Sequence, residues 1–232
     1  MMVPDGLPEW LYQASTWVVP VILAVTLHEA AHGFVAWRLG DDTAWRLGRV
    51  SANPFRHVDL MGTILLPALL VLTHAPFLFG WAKPVPVAFH RLRRPRRDMV
   101  LVAAAGPGIN LLLALASALL MKLPLMMPIW LARWLAENLG HSILMNLALA
   151  AFNLLPMPPL DGGRMAVGLL PIGLSRPLAR LENTGMLILI GVMVLLPMVG
   201  DRIGVNLDLM TMILRPMVDF LGRLVFWTAG LM

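Results

Sequence analysis

Charge disappears from this chain repeatedly, over lengths that match a bilayer. Uncharged runs occur at Trp10–Trp37 (broken only by Glu29), Leu60–Ala82, Met99–Met121, Asn138–Leu160 and Asn183–Gly200. A helical span takes about 20 apolar residues. The whole chain is 59% hydrophobic and only 13% charged, where soluble domains carry about 25% charge. These runs predict an all-α polytopic membrane protein, a bundle of about 5–6 transmembrane helices. No stretch is long and polar enough for a separate soluble domain. Residues 1–232 therefore read as one integral membrane domain, with a core over 14–165 and C-terminal helices over 166–232. The expected location is the cell membrane, crossed several times. The N-terminus has Asp5 and Glu9 but no Lys or Arg, so the first span is expected to be retained rather than cleaved.

The basic residues are mostly arginines in loops beside the apolar runs, which argues for membrane orientation and against nucleic acid as a partner. Loop Arg38–Asp59 holds Arg38, Arg46, Arg49 and Arg56, and loop Lys83–Asp98 holds Lys83, Arg91, Arg93, Arg94, Arg96 and Arg97. Both should be cytoplasmic, yet a single helix over Leu60–Ala82 would put them on opposite sides. A re-entrant element resolves the conflict. Leu60–Leu72 enters as helix, Thr73-His74-Ala75-Pro76 breaks it, and Phe77–Phe89, with Gly80, Pro84 and Pro86, returns extended. A full span that breaks the charge rule is the alternative. Beyond it, Met99–Met121 should cross outward and His141–Pro156 inward, with Leu125–Leu135 lying in the outer interface. Asn183–Gly200 should cross outward again.

Inside the first run lies His28-Glu29-Ala30-Ala31-His32. On a helix the two histidines share a face one turn apart, so their imidazoles can meet at one metal ion. Ionisable groups within a span are costly and are carried where they have a partner or a task. The chain has no cysteine, so a metal must be held by His and carboxylate. Catalytic zinc takes three protein ligands, and the best third ligand is Asp161, in Asn153-Leu154-Leu155-Pro156-Met157-Pro158-Pro159-Leu160-Asp161-Gly162-Gly163. Asp161 ends the inward-running span, and His32 lies about 9 Å from the inner end of the first span, so the two reach similar depths toward the cytoplasm. Gly162-Gly163 reads as a tight turn. His57, His74, His90 and His141 read as loop or interface histidines, Asn53-Pro54 as a turn, and Gly106 and Gly108 as close-packing positions. Asn110 and Asn146 read as bonds between helices.

Taken together, His28–His32, Asn53-Pro54-Phe55-Arg56-His57, Gly80-Trp81-Ala82-Lys83-Pro84-Val85-Pro86-Val87, Gly106-Pro107-Gly108-Ile109-Asn110 and Asn153–Gly163 resemble the site-2 protease family of intramembrane zinc metalloproteases. The likeness is to compact members without a PDZ domain, and it covers about residues 20–165. It implies one Zn2+ per chain on His28, His32 and Asp161, and Glu29 as general base. It implies that Asn153 holds substrate, together with a strand containing Gly80, Trp81, Ala82, Lys83, Pro84 and Val85. The implied partners are a transmembrane protein substrate and the lipid bilayer, and the same chain is compatible with a homo-oligomer. A structural zinc site without catalysis, or an ion relay through His28, Glu29 and Asp161, are the competing readings. An intact Glu29 argues against the first, and the lack of an internal repeat against the second.

Overall fold

The computed structural model describes residues 8–72, 80, 82–123 and 127–231, and among them all regular structure is helical. The first helix, α1 (Glu9–Arg38), begins with an acid and ends with a base, each placed to complement the helix dipole. A short α2 (Thr43–Arg46) follows, then a 3-10 turn (Pro54–Arg56) opened by Asn53, whose side chain accepts from the Phe55 N–H. The stretch expected to enter the membrane is helical, as a π turn (Leu60–Leu65) running into α3 (Leu66–Leu72). The expected break at Thr73–Pro76, His74 and Trp81 lie outside the described residues. Ala82–Ala88 is neither helix nor paired strand.

The remaining helices are α4 (Pro95–Leu120), α5 (Ile129–Asn153), α6 (Asp161–Leu169), α7 (Ile172–Arg180), α8 (Gly185–Ile190), α9 (Leu196–Ile203) and α10 (Leu209–Thr228). A π turn, Gly191–Leu195, joins α8 to α9. Among the described residues, three helical stretches are long and apolar enough to cross a membrane: Glu9–Arg38, Pro95–Leu120 and Gly185–Ile203, the last made of α8, the π turn and α9. All three overlap uncharged runs read from sequence and extend past them into charged ends. The segment expected to lie apart in the outer interface is instead, from Ile129, the first turns of the 25-residue α5. The Arg133–Glu137 pair, 3.0 Å apart at i,i+4, lets one helix run through that polar stretch.

Helix α4 lies against α1, α5 and α6. Its contact with α5 is made of small side chains, with Ala114, Ala118, Ala150 and Ala151 fully buried and Leu221 and Val225 of α10 closing the cluster. Small residues let backbones approach where no water is available to drive association. Two polar pairs cross this seam. Ser117 and Ser142 hydroxyls are 2.8 Å apart, and the fully buried Asn110 and Asn146 are bonded to each other. Large apolar side chains such as Leu112, Leu187 and Leu195 face outward.

Candidate metal centre

His28 and His32 project from one face of α1 and bring their Nε2 atoms within 3.1 Å of each other. Asp161, the first residue of α6, places Oδ2 3.2 Å from His28 Nε2 and 3.3 Å from His32 Nε2. The three atoms form a nearly equilateral triangle. Zinc–nitrogen and zinc–oxygen bonds of about 2.0–2.2 Å in tetrahedral geometry put neighbouring ligand atoms about 3.3–3.5 Å apart. The triangle therefore has the size of one face of a zinc tetrahedron. All three residues are buried, and among the described residues no other group of His, Cys, Asp and Glu converges in this way.

The surrounding hydrogen bonds decide which atoms carry protons. Asn146 Nδ2 donates to the Ser142 carbonyl (2.8 Å), so Asn146 Oδ1 faces Asn110 and accepts from its Nδ2 (2.7 Å). Asn110 Nδ2 also reaches the Ala24 carbonyl (3.3 Å). Asn110 Oδ1 is then the atom 2.6 Å from His28 Nδ1, and that nitrogen must be the donor. His32 Nδ1 likewise donates to the Val102 carbonyl at 2.7 Å. With both Nδ1 atoms donating, an imidazole in its neutral form has its Nε2 lone pair left for the space it shares with Asp161 Oδ2. Asp161 Oδ2 is buried and receives no hydrogen bond despite its two close neighbours. Three lone-pair atoms turned on one another are unfavourable unless a cation sits between them, and the donor set suits zinc. The residues present fit the metal.

Two glycine contacts explain how the pieces come so close. A Cβ on Gly106 of α4 would stand 2.5 Å from His28 Cε1 and from His32 Nε2, so glycine at 106 makes room for the two imidazole rings themselves. A Cβ on Gly162 would meet the Leu154 carbonyl oxygen at 2.3 Å, so α6 can lie against the end of α5 and present Asp161. Gly162 and Gly163 sit within α6 and neither has positive φ. Their role is close approach rather than the tight turn expected from sequence.

Glu29 follows His28 on α1 and is held by a backbone amide. Its Oε2 accepts the Val85 N–H at 2.8 Å, and Pro84 and Pro86, which flank Val85, have no N–H to offer. The Ala82–Ala88 segment is fastened at several points. The Lys83 N–H reaches the His57 carbonyl at 2.9 Å. The half-exposed loop is also held by Arg49, whose guanidinium donates to the carbonyls of Arg56, Lys83 and Pro84. Asp41, fully buried, accepts from the Ala88 N–H (2.6 Å) and from the backbone and hydroxyl of Thr43. Burial pushes the Asp41 carboxyl upward, but these bonds and the nearby Arg91 charge outweigh it and hold the group below its ordinary value.

A cavity of about 220 Å³ opens beside His28 and Glu29. Gly80, Ala82 and Asn153 line it, as do Met186, Ile190 and Met193 from the α8 region. Asn153 spends one N–H on the Leu149 carbonyl (3.0 Å). A larger cavity lies elsewhere, at the start of α4, and the chemistry rather than the volume marks the smaller one as the site. His57 bonds to the Ser51 carbonyl (2.9 Å) and His141 stacks on Trp17, and neither belongs to the convergent group of His28, His32 and Asp161.

The sequence profile of peptidase family M50 matches residues 130–198. The "putative zinc metalloprotease YwhC" of Bacillus subtilis is 37% identical over 212 residues, covering 87% of this chain and 93% of that protein. The chain belongs to peptidase family M50. As a member of M50, the site-2 protease family, it is a metalloprotease. The "putative zinc metalloprotease Rip2" of Mycolicibacterium smegmatis is 31% identical over 170 residues, 73% of this chain and 62% of that protein. Rip2 of Mycobacterium tuberculosis is 33% identical over 141 residues, 61% of this chain and 52% of that protein. No solved structure matches the chain.

Several members of the site had no reading as such in the sequence. Gly106 and Asn110 looked like packing and helix-bonding positions, and Met186, Ile190 and Met193 belong to a run in which every residue is apolar. Only the Gly-Pro-Gly-Ile-Asn motif around 106–110 offered a signal.

Proposed function

We propose that this M50 member is a zinc-dependent intramembrane endopeptidase that cuts peptide bonds in or near transmembrane segments of other proteins. His28, His32 and Asp161 would hold one zinc ion per chain, with Glu29 as the catalytic base. The convergence of three lone-pair atoms, with both Nδ1 positions already committed as donors, carries this reading. The metal supplies Lewis acidity toward water and toward the scissile carbonyl. Glu29 takes the proton from the attacking water and returns it to the leaving amine. Asn110 and the Val102 carbonyl keep both imidazoles turned toward Asp161. Asn153 and the Gly80–Val85 stretch, Trp81 included, lie against the substrate backbone.

A transmembrane helix hides its peptide bonds, so the substrate must open locally and have its backbone groups satisfied again, as strand addition does. The Ala82–Ala88 segment, unpaired and outside any helix, would serve that purpose as the return limb of a re-entrant element. The apolar wall of Met186, Ile190 and Met193 suits a substrate side chain drawn from lipid. In this reading residues 1–232 form a single protease domain of about 5–6 spans in the cell membrane. Its active site faces the cytoplasmic side, where Arg-rich loops flank it.

The test is Glu29→Gln, purified in detergent and given a transmembrane peptide substrate. Zinc content should match wild type while cleavage falls by about 10²–10⁴-fold, the usual worth of a general base. Cleavage at the wild-type rate would overturn the assignment.

A further inference from the structure

We propose that the groove between the start of α4 and the end of α6 binds one anionic phospholipid from the surrounding bilayer. The groove, of about 480 Å³, is lined by Arg96, Arg97, Val100, Leu101, Leu169 and Leu170 among others. Its charge and its grease are ordered along α4. Arg96 and Arg97 stand in the first turn, and Val100 and Leu101 follow one turn on, where the uncharged run Met99–Met121 begins. Arg97 and Leu101 are thus separated by about 6 Å along the helix, in the direction in which it enters the membrane. An amphiphile with a negative head and an acyl chain meets that order; a soluble anion does not use the apolar floor.

The two arginines are not equivalent. Arg96 closes the end of α6 by donating to the carbonyls of Val167 and Leu170. Arg97 is exposed and makes no hydrogen bond or ion pair with any described residue. No carboxylate of a described residue pairs with it. Asp98 is the only acid between residues 60 and 136, and it is buried and accepts the Arg94 N–H at 2.8 Å. The α6–α7 side has no acid from Gly162 to Leu181. Leu169, 71% exposed, and Leu101, 46% exposed, leave the floor open. The walls are close neighbours, since a Cβ on Gly168 would stand 2.4 Å from Val100 Cγ2 and 2.8 Å from the Arg96 carbonyl oxygen. A lipid seated there joins α4, which carries Val102, Gly106 and Asn110, to α6, which carries Asp161. Its binding does not depend on whether those residues hold a metal.

The experiment is native mass spectrometry of the full chain in a neutral detergent. Phosphatidylglycerol and phosphatidylcholine of identical acyl chains are supplied in equal amounts. Wild type should retain one phosphatidylglycerol in preference to phosphatidylcholine. Arg97→Gln should weaken that retention about fivefold, the effect of one basic side chain near an anionic lipid surface. Arg97→Lys should restore most of it, and Arg202→Gln, an exposed charge on α9, should leave it unchanged. Equal retention of the two lipids, or equal losses in Arg97→Gln and Arg202→Gln, overturns the proposal. Displacement of the lipid by inorganic phosphate also overturns it, since that would make the groove a bare anion site.

Discussion

Replacing Gly106 with alanine puts a methyl group where two imidazoles already are. The added carbon would lie 2.5 Å from His28 Cε1, 2.5 Å from His32 Nε2 and 2.6 Å from His28 Nε2. Ordinary carbon contacts fall at about 3.5–4.0 Å, so something must yield by about 1 Å. If the rings yield, the Nε2 atoms leave positions that coordination tolerates only within about 0.2 Å. If α4 backs away instead, it takes with it the Val102 carbonyl and Asn110, which orient the two rings. Either route costs about 1–3 kcal/mol, the range for overfilling a tight site, and that is about 5–150-fold in metal affinity. The assay is competition for zinc between the purified protein and a chromophoric chelator. Gly108→Ala is the matched control, because a Cβ there meets nothing within 4 Å on the same helix. Helix propensity favours both alanines alike. If Gly106→Ala competes for zinc as well as Gly108→Ala does, the rings do not sit against α4 as described.

Two further outcomes follow from the same contacts. Asn146→Ala should lower zinc affinity by about 10–100-fold in that chelator assay, although Asn146 touches neither histidine, because Asn110 loses the acceptor that fixes its amide. Acid should also act through Asp41. Its folded-state pKa is held below the ordinary 3.8, so its contribution to stability is complete above that value and fades as pH falls through the lower one. Thermal unfolding in detergent should therefore weaken below about pH 4 in wild type. Asp41→Asn should be less stable at neutral pH and lose less on acidification, and an unchanged acid slope in the variant would refute this.

The parts of the site that could be read from sequence are those whose chemistry is local or expensive. His28 and His32 share a helix face by spacing alone, and Asp161 stood out because few carboxylates lie near the depth of His32. The three apolar helices were readable for the same reason, since a water-soluble fold rarely sustains a bilayer's length without charge. What sequence could not convey is direction and distance. Asn110 and Asn146 were recognisable as a bond between helices, but not as the device that assigns a proton to His28 Nδ1. Gly106 and Gly162 were visible as small residues, while the atoms they make room for, on α1 and at the end of α5, come from segments outside their own helices. Helix α5 began earlier than charge patterning implied, because the Arg133–Glu137 pair neutralises within the helix what would otherwise mark a boundary. The side chains of α8 that face the cavity sit in a segment where every position is apolar, so no periodicity distinguishes the face that matters.

The bond between the Val85 amide and Glu29 has one more implication. Prolines on both sides, and the commitment of Lys83 to His57, leave no neighbouring amide able to take over when that bond opens. The Val85 N–H is thus the one donor that the Pro84–Pro86 stretch can offer to Glu29. A backbone movement that carries Val85 away from α1 would therefore free the Glu29 carboxylate by breaking a single bond.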